Sequence, residues 1–269
     1  QWPYWIHKHS VSIQYSSSLW LDQFMSVSRG KNSEFEFSFI AFAPEFKDLS
    51  FNLEECKQIA GMLGKTADFY GIEANRFNFK NQAGRGRILH IASHARSNME
   101  MLDASYIRMQ EDTLYAGEIG MMNLPMDLVF LSACETGTGK IISGEGMMSL
   151  ARSFFQSGAK GVISTLWPIR DDISKVQVIR IYENLKMGKS KDEAIRDMQI
   201  HYLAKTRPDA AFPSYWAAFQ CHGDLSPLFP HPLKMPAFLL GLSPILAFVF
   251  SGWIYQKYKR REILLHEAA

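Results

Sequence analysis

Three short apolar runs, at residues 87–93, 127–133 and 161–167, constrain the fold more than any other feature of this sequence. Each run has the length of a strand and lacks the polar alternation of a strand that faces water on one side. We therefore expect strands that are buried on both faces. Residues 145–157 carry apolar side chains at helical spacing. This strand–helix–strand unit indicates an α/β fold, with a mostly parallel sheet covered by helices on both faces.

Weaker signals place further elements around these strands. We expect strands at 11–15, 35–43 and 215–221, and helices at 52–63, 172–187 and 191–204. Two of the helices begin with the pattern of a capping box, formed by Asn52 with Glu55 and by Ser190 with Glu193. Cys56 lies on the apolar face of the first of these helices, so we expect it in the core.

Composition excludes several classes of function. The 269 residues carry a formal net charge of +2, from 29 basic and 27 acidic side chains, and so small a basic excess does not favour a nucleic-acid partner. The three cysteines, Cys56, Cys134 and Cys221, are too few and too scattered for a disulfide framework, and none has zinc-site spacing. We therefore predict no metal and no cofactor, and a cysteine remains available for chemistry.

A histidine and a cysteine follow two of the predicted core strands. His94 comes directly after the strand at 87–93, and Cys134 directly after the strand at 127–133. If these strands are parallel neighbours, both side chains emerge at one edge of the sheet, where catalytic groups of α/β proteins collect. An imidazole beside a thiol raises the thiolate fraction and later protonates a leaving amine. On position alone, packing of Cys134 and a loop hydrogen bond of His94 are competing interpretations.

Longer motifs around this site resemble those of a known protein family. The sequence contains ILHIASHA at 88–95, LSACETG at 131–137, SGEG at 143–146, LARSFFQSGAKGVISTLWPIRDD at 150–172 and PSYWAAF at 213–219. In this order they resemble the CHAT domain, a family of caspase-like modules related to separases, gingipains and caspases. The resemblance extends over residues 11–224 and implies a caspase–haemoglobinase fold, a three-layer α/β/α sandwich. We expect this domain at residues 1–225, truncated at its amino terminus.

The resemblance also implies an activity and partners. Characterised members are endopeptidases that act on a protein or peptide substrate through a Cys/His dyad. Tetratricopeptide repeats often lie on the amino-terminal side of the domain in this family. We therefore expect an upstream repeat region and a regulatory protein partner for this chain.

The family's site maps onto residues of this chain. Cys134 resembles the nucleophile, and His94 resembles the general base and acid. The backbone N–H groups of Ala95 and Cys134 are then expected to face the oxyanion. The family usually has glycine where this chain has Ala95, and the Cβ of alanine restricts the backbone angles there. A catalytically inactive scaffold or sensor with the same fold is the alternative to a peptidase.

Acidic residues near the site indicate a substrate preference. Residues 165–172 resemble the separase stretch that supplies an acidic side chain to the pocket for the residue before the cleaved bond. Asp171 is the best match by position, and Asp172 is the alternative. A carboxylate there would favour Arg or Lys, although both aspartates also suit the first turn of a helix. Glu135, next to Cys134, is expected either in the pocket wall or in structural hydrogen bonds.

The carboxyl-terminal part has the composition of a membrane anchor. A proline-rich linker at 226–235 precedes the segment 236–256, whose first twenty residues carry no charge and would span about 30 Å as a helix. A short basic tail at 257–269 follows. By the positive-inside rule this tail is cytoplasmic, which places the catalytic domain of a single-pass membrane protein on the non-cytoplasmic side. A buried core helix is the alternative, which Pro236, Pro244 and the basic flank disfavour.

Overall fold

The computed structural model of the chain describes residues 4–14, 34–96, 105–132, 146–207 and 211–230. The described strands are β1 Phe37–Ala43, β2 Thr66–Tyr70, β3 Gly86–Ile91, β4 Ala95–Arg96, β5 Tyr106–Arg108, β6 Thr113–Tyr115, β7 Leu128–Leu131, β8 Gly161–Thr165 and β9 Phe219–Gly223. The described helices are α1 Asn52–Leu63, α2 Arg76–Gln82, α3 Ala116–Gly120, α4 Gly146–Gln156, α5 Asp171–Lys186, α6 Lys191–Lys205 and α7 Pro213–Trp216.

The described strands form a central sheet in the order β2–β1–β3–β7–β8–β9. Its first five strands are parallel to their neighbours, and β9 closes the sheet antiparallel to β8. The three predicted core strands are β3, β7 and β8. They are adjacent and parallel, and Ile91 lies opposite Leu131. The prediction of a mostly parallel sheet in an α/β fold is therefore confirmed.

Helices cover both faces of this sheet. Successive residues of a strand point to opposite faces, so Leu89 packs with α2, α3 and α4 while Ile88 packs with α1, α5 and α6. Cys56 of α1 is fully buried in the second of these cores, as its helical position predicted. The described part of the chain thus has helix, sheet and helix layers, which explains why the core strands are apolar throughout.

Several short elements gave little signal in the sequence. The strands β4, β5 and β6 form a second, antiparallel sheet. Each has two or three residues, too few to show a periodicity. Strand β2 lies at the edge of the central sheet and is half exposed, so it lacks the continuous apolar run of its buried neighbours.

The predicted strand at 11–15 is wrong. Its described residues, 11–14, form an isolated bridge between Ile13 and His222 in place of a strand. Ile13 donates a backbone hydrogen bond to Cys221 of β9 at 3.1 Å. The β-branched residues that predicted a strand here therefore line the edge of the sheet without continuing the ladder.

The predicted closing strand at 215–221 begins four residues later. Pro213 starts the short helix α7, and β9 begins at Phe219. Proline suits the first position of a helix because its φ is already helical and its missing N–H is not needed there. The aromatic residues before Phe219 therefore belong to a helical turn.

The two predicted capping boxes have different outcomes. At α6, the Glu193 carboxylate accepts a hydrogen bond from the Ser190 N–H at 3.1 Å, as predicted. At α1, Phe51 is the N-cap residue. The side chains of Asn52 and Glu55 bind partners on the central sheet and its loops instead, and these contacts shape the site described below.

The predicted membrane helix at 236–256 and the basic tail at 257–269 lie outside the described residues. Within the described ranges, no helix combines the length and the apolar character needed to cross a bilayer. Residues 226–230, the described part of the predicted linker, form neither helix nor strand, and Leu228 is buried against α5 and α6.

Candidate active site

The central sheet and the small sheet together hold His94. It lies between the end of β3 and the start of β4, where the chain leaves the carboxyl edge of the central sheet. The Arg108 N–H donates to the His94 carbonyl at 2.8 Å, and Ala95 pairs with Ile107 of β5. His94 is 5% exposed. Its backbone is therefore fixed from both sides, at the position where the sequence predicted a catalytic group.

The imidazole of His94 has a carboxylate partner that the sequence did not indicate. His94 Nε2 lies 3.1 Å from Asp48 Oδ1. An ionised carboxylate only accepts hydrogen bonds, so Nε2 carries the proton of this contact, and Nδ1 is the ring nitrogen left to accept one. The hydrogen bond to His94 lowers the pKa of Asp48 below its usual value. The arrangement thus fixes the tautomer in which Nδ1 can take a proton.

The loop between β1 and α1 brings Asp48 to this histidine. Asn52 holds the loop, since its side-chain amide donates to the Pro44 carbonyl at 2.7 Å and to the Ala92 carbonyl at 3.1 Å. Phe46 packs its ring 5.0 Å from the His94 ring. Asp48 follows a buried strand at the carboxyl edge, and that position is the signal that sequence reasoning missed.

The predicted nucleophile, Cys134, and its neighbour Glu135 lie outside the described residues. The structure follows the strand that leads to them as far as Ser132. The Ser132 N–H donates to the Ile91 carbonyl at 2.9 Å, which continues the pairing of β7 with β3 beyond the regular strands. The parallel, adjacent strands that the predicted dyad requires are therefore present, and the contact between His94 and Cys134 stays a prediction.

Ala95 occupies an extended position that accommodates its side chain. The hydrogen bond from Arg108 to His94 makes Ala95 and Ile107 a non-hydrogen-bonded pair, so the Ala95 N–H points away from β5. Among the described residues, the non-glycine residue with positive φ is Lys65. The Cβ of Ala95 therefore imposes no strain, and its N–H remains directed away from the ladder, as an oxyanion donor requires.

The structure separates the two candidate specificity residues. Asp171 is half-buried at the start of α5 and accepts a backbone hydrogen bond from Ser50, and burial raises the pKa of its carboxyl. It lines the same groove as Asp48, the partner of His94. Asp172 is exposed and pairs with the Arg170 guanidinium at 2.8 and 3.1 Å. Both aspartates line one groove with Asp48, but Asp171 is half-buried there, whereas Asp172 is exposed and already paired.

A groove runs past these groups. Asp48, Phe51, Ile169 and Asp171 are among the residues that line it, and its volume is about 500 Å³. A much smaller cavity of about 10 Å³ lies behind Phe51 and Asp171 and is also lined by Ser132. An extended peptide in the groove would therefore pass beside the charged side chains of the site.

We expect Asp48 to position His94 with a modest effect on rate. Its side chain is 64% exposed, and an exposed charged pair contributes about 0.2–1 kcal/mol. Asp48→Ala should therefore slow any reaction that depends on His94 by about 1.4- to 5-fold. Asp48→Asn should restore most of the rate, because its amide oxygen still accepts the proton on Nε2. Comparing the two variants by rate and by thermal unfolding checks this, and equal rates in both would contradict it.

Comparisons with known proteins agree with this architecture. The family model of the CHAT domain matches residues 4–224. Human and mouse Tetratricopeptide repeat protein 28 are 29% and 28% identical to this chain over 116 residues. That stretch is 43% of this chain but only 4% and 5% of the lengths of those relatives.

Solved structures with a similar fold include two crystal structures of the separase–securin complex from Saccharomyces cerevisiae. Their TM-scores are 0.50 and 0.52, at 13% and 15% sequence identity. The matches cover 80% of this chain and 14% of the matched chains. At such low identity the likeness concerns the fold, whereas the family model spans most of the sequence. The chain therefore belongs to the CHAT domain family, and its mixed α/β fold resembles the caspase-like domain of separase.

Proposed function

We propose that this chain is a cysteine endopeptidase of the CHAT type, with Cys134 as nucleophile and His94 as general base and acid. The observation that carries the proposal is the placement of His94. It lies at the carboxyl edge of β3 with Nε2 bonded to Asp48, beside the parallel strand that leads to Cys134. A histidine whose tautomer is fixed by a carboxylate is suited to accept a proton from a neighbouring thiol.

The proposed reaction has two stages, formation of a thioester with Cys134 and hydrolysis of that thioester. His94 Nδ1 takes the proton of the Cys134 thiol, and the thiolate attacks the carbonyl carbon of the peptide. The carbonyl oxygen becomes negative and is stabilised by the N–H groups of Ala95 and Cys134. The C–N bond then breaks, and His94 gives its proton to the leaving amine. A water molecule, deprotonated by His94, hydrolyses the thioester and releases the acid and the thiol.

The proposed specificity is for a basic side chain before the cleaved bond. Asp171 supports it, because its carboxylate lines the groove together with Asp48, the partner of His94. Desolvation of this carboxylate disfavours its charged form, and a bound ammonium or guanidinium group would restore that form. Asp172 contributes little in this proposal, since Arg170 already neutralises it.

Covalent labelling tests the activity. A peptide with a thiol-reactive end group and Arg or Lys beside it should label the wild-type chain at Cys134. Burial raises the pKa of Cys56 well above its usual value and that of Cys221 to about 12, so these thiols should stay unlabelled and serve as internal controls. Cys134→Ala should abolish labelling. Labelling that persists in this variant, or that is absent from wild type, would contradict a peptidase and favour the inactive scaffold.

We also propose that the domain acts within a larger, regulated protein. The chain spans only a few per cent of the curated relatives it matches, and these are tetratricopeptide repeat proteins. The solved structures of similar fold are of a complex between two proteins, separase and securin. An upstream repeat region and a regulatory protein partner are consistent with both likenesses.

Membrane anchoring by residues 236–256 is a further part of the proposal, supported by the sequence alone. The full chain should sediment with membranes and resist extraction at alkaline pH. A chain that ends at Pro230 should stay in the supernatant, because it lacks the uncharged segment. Digestion of sealed vesicles by added protease then shows on which side of the membrane the tail at 257–269 lies. Full-length chain that washes off at alkaline pH would contradict the anchor.

A further inference from the structure

A buried carboxylate lies behind the groove of the candidate site. Glu55, in the first turns of α1, is 3% exposed. Its Oε1 lies 2.9 Å from His90 Nε2, and His90 Nδ1 lies 3.1 Å from the Tyr182 hydroxyl. These three side chains come from α1, β3 and α5, so the carboxylate is fixed by three elements of the core.

The second carboxylate oxygen of Glu55 is not used by this network. It forms no hydrogen bond within the described part of the chain, and Glu55 lines the small cavity together with Asn52, Ser132, Asp171 and Ser174. The cavity volume of about 10 Å³ is close to what one water-sized group occupies. This oxygen is not among the described side-chain atoms that are both fully buried and without a partner, so it can be reached from the cavity, which has room for one hydrogen-bond donor.

The charges around this cavity select for a cation. Two of its lining residues, Glu55 and Asp171, are acidic, and none of the described lining residues is basic. Two basic side chains that neighbour Asp171 in sequence are paired with other groups: Arg170 pairs with Asp172, and Lys175 pairs with Glu54. The negative charge of Glu55 adds to burial in raising the pKa of Asp171. A positive group between the two carboxylates would remove this repulsion.

We propose that Glu55 and Asp171 together form the subsite for the ammonium group of a lysine side chain before the cleaved bond. The inference rests on the proposed peptidase function and narrows its substrate class. An ammonium group has about the size of the cavity and three donors, for Glu55, Asp171 and the Ser132 hydroxyl. A planar guanidinium is larger than the cavity, so it would stay in the groove and meet Asp171 alone.

The position of the cavity fits a subsite for the residue next to the cleaved bond. Phe51 and Asp171 line both the open groove and the cavity, so a side chain that lies in the groove can reach inward between them. Ser132 also lines the cavity and precedes Cys134 by two residues in the sequence. The subsite therefore lies along the strand end that leads to the predicted nucleophile.

Three probes that differ in one side chain test this subsite. Thiol-reactive peptides with lysine, arginine or norleucine at the reactive end are compared by their rates of labelling Cys134 in the full chain. The lysine probe should react about 10-fold faster than either of the others. Glu55→Gln keeps the shape and the hydrogen bond to His90 but removes the charge. It should slow the lysine probe by about 10- to 100-fold and leave the norleucine probe unchanged.

Glu54→Gln is the matched control. It removes a charge one residue away on the outer face of α1, where Glu54 is 63% exposed and pairs with Lys175, so it should leave all three rates unchanged. Lysine and arginine probes that react equally in wild type, or a normal lysine preference in Glu55→Gln, would overturn the subsite while leaving the peptidase intact. Absence of labelling by all three probes in wild type would overturn the peptidase, and the subsite with it.

A measurement on wild type alone covers the case in which Glu55→Gln fails to fold. Butylammonium and propylguanidinium carry the two head groups on short chains. Butylammonium should protect Cys134 from the norleucine probe at about 10-fold lower concentration than propylguanidinium. Equal protection, or stronger protection by the guanidinium, would overturn the assignment.

Discussion

Replacing His94 with alanine should slow the labelling of Cys134 by a peptide probe about 100- to 10,000-fold, the range that general acid–base catalysis contributes. The reason is the position of the ring. His94 is 5% exposed, bonded through Nε2 to Asp48 and packed against Phe46. Alanine removes this fixed proton acceptor. Second-order rate constants for wild type and variant, measured at pH 7, check the prediction.

The pH dependence separates a catalytic His94 from a structural one. Without the imidazole, the rate should follow the ionisation of an ordinary thiol, with a pKa of about 8.5. Wild type should already react fully at lower pH, because His94 provides the base. His201→Ala is the control, since His201 lies on α6, which contributes none of the described residues that line the groove or the small cavity. Equal rates and equal pH profiles in wild type and His94→Ala would contradict a catalytic role.

The sequence predicts the part of the site that depends on strand ends. Continuous apolar runs identified β3, β7 and β8, and parallel strands present their carboxyl ends at one edge. The position of His94 follows from this rule alone, before any family motif is considered. The nucleophile is predicted by the same rule, while its geometry rests on residues outside the described ranges.

The histidine partners of Asp48 and Glu55 could not be predicted, because they lie 46 and 35 residues away along the chain. Glu55 follows Asn52 by three residues, and this spacing is the pattern of a capping box. In the structure the carboxylate turns inward to His90, 35 residues away. An exposed cap is worth about 1 kcal/mol, whereas a buried histidine left without its acceptor costs about 1–3 kcal/mol. The tertiary contact therefore prevails over the local pattern.

The specificity residues Asp171 and Asp172 also depend on tertiary contacts that the local sequence does not reveal. The two residues are chemically identical neighbours, and both suit the first turn of α5. Both line the groove, and they differ in their partners: Asp171 accepts a hydrogen bond from the Ser50 N–H, whereas Asp172 pairs with Arg170. How each of two adjacent carboxylates is paired depends on tertiary contacts, and a match to a family motif only ranks them.

Adding one methyl group at Gly223 should destabilise the domain by about 3 kcal/mol or more. Gly223 ends β9 with φ +83°, a conformation that L side chains rarely adopt. A Cβ there would lie 2.5 Å from the Lys160 backbone oxygen. That oxygen cannot move away freely, because it accepts a hydrogen bond from the Asp224 N–H at 2.8 Å. Gly223→Ala therefore strains both the backbone angle and the closure of the sheet.

Gly61→Ala adds the same methyl group with the opposite expected sign. Gly61 lies on the exposed side of α1, and a Cβ there would have no atom within 4 Å. Alanine is favoured over glycine inside a helix by about 0.5–1 kcal/mol, so this variant should be slightly more stable than wild type. Urea unfolding of both variants measures the two shifts. A stable Gly223→Ala would show that β9 closes the sheet in a different register, since the conflict with Lys160 exists only when Gly223 lies opposite Gly161.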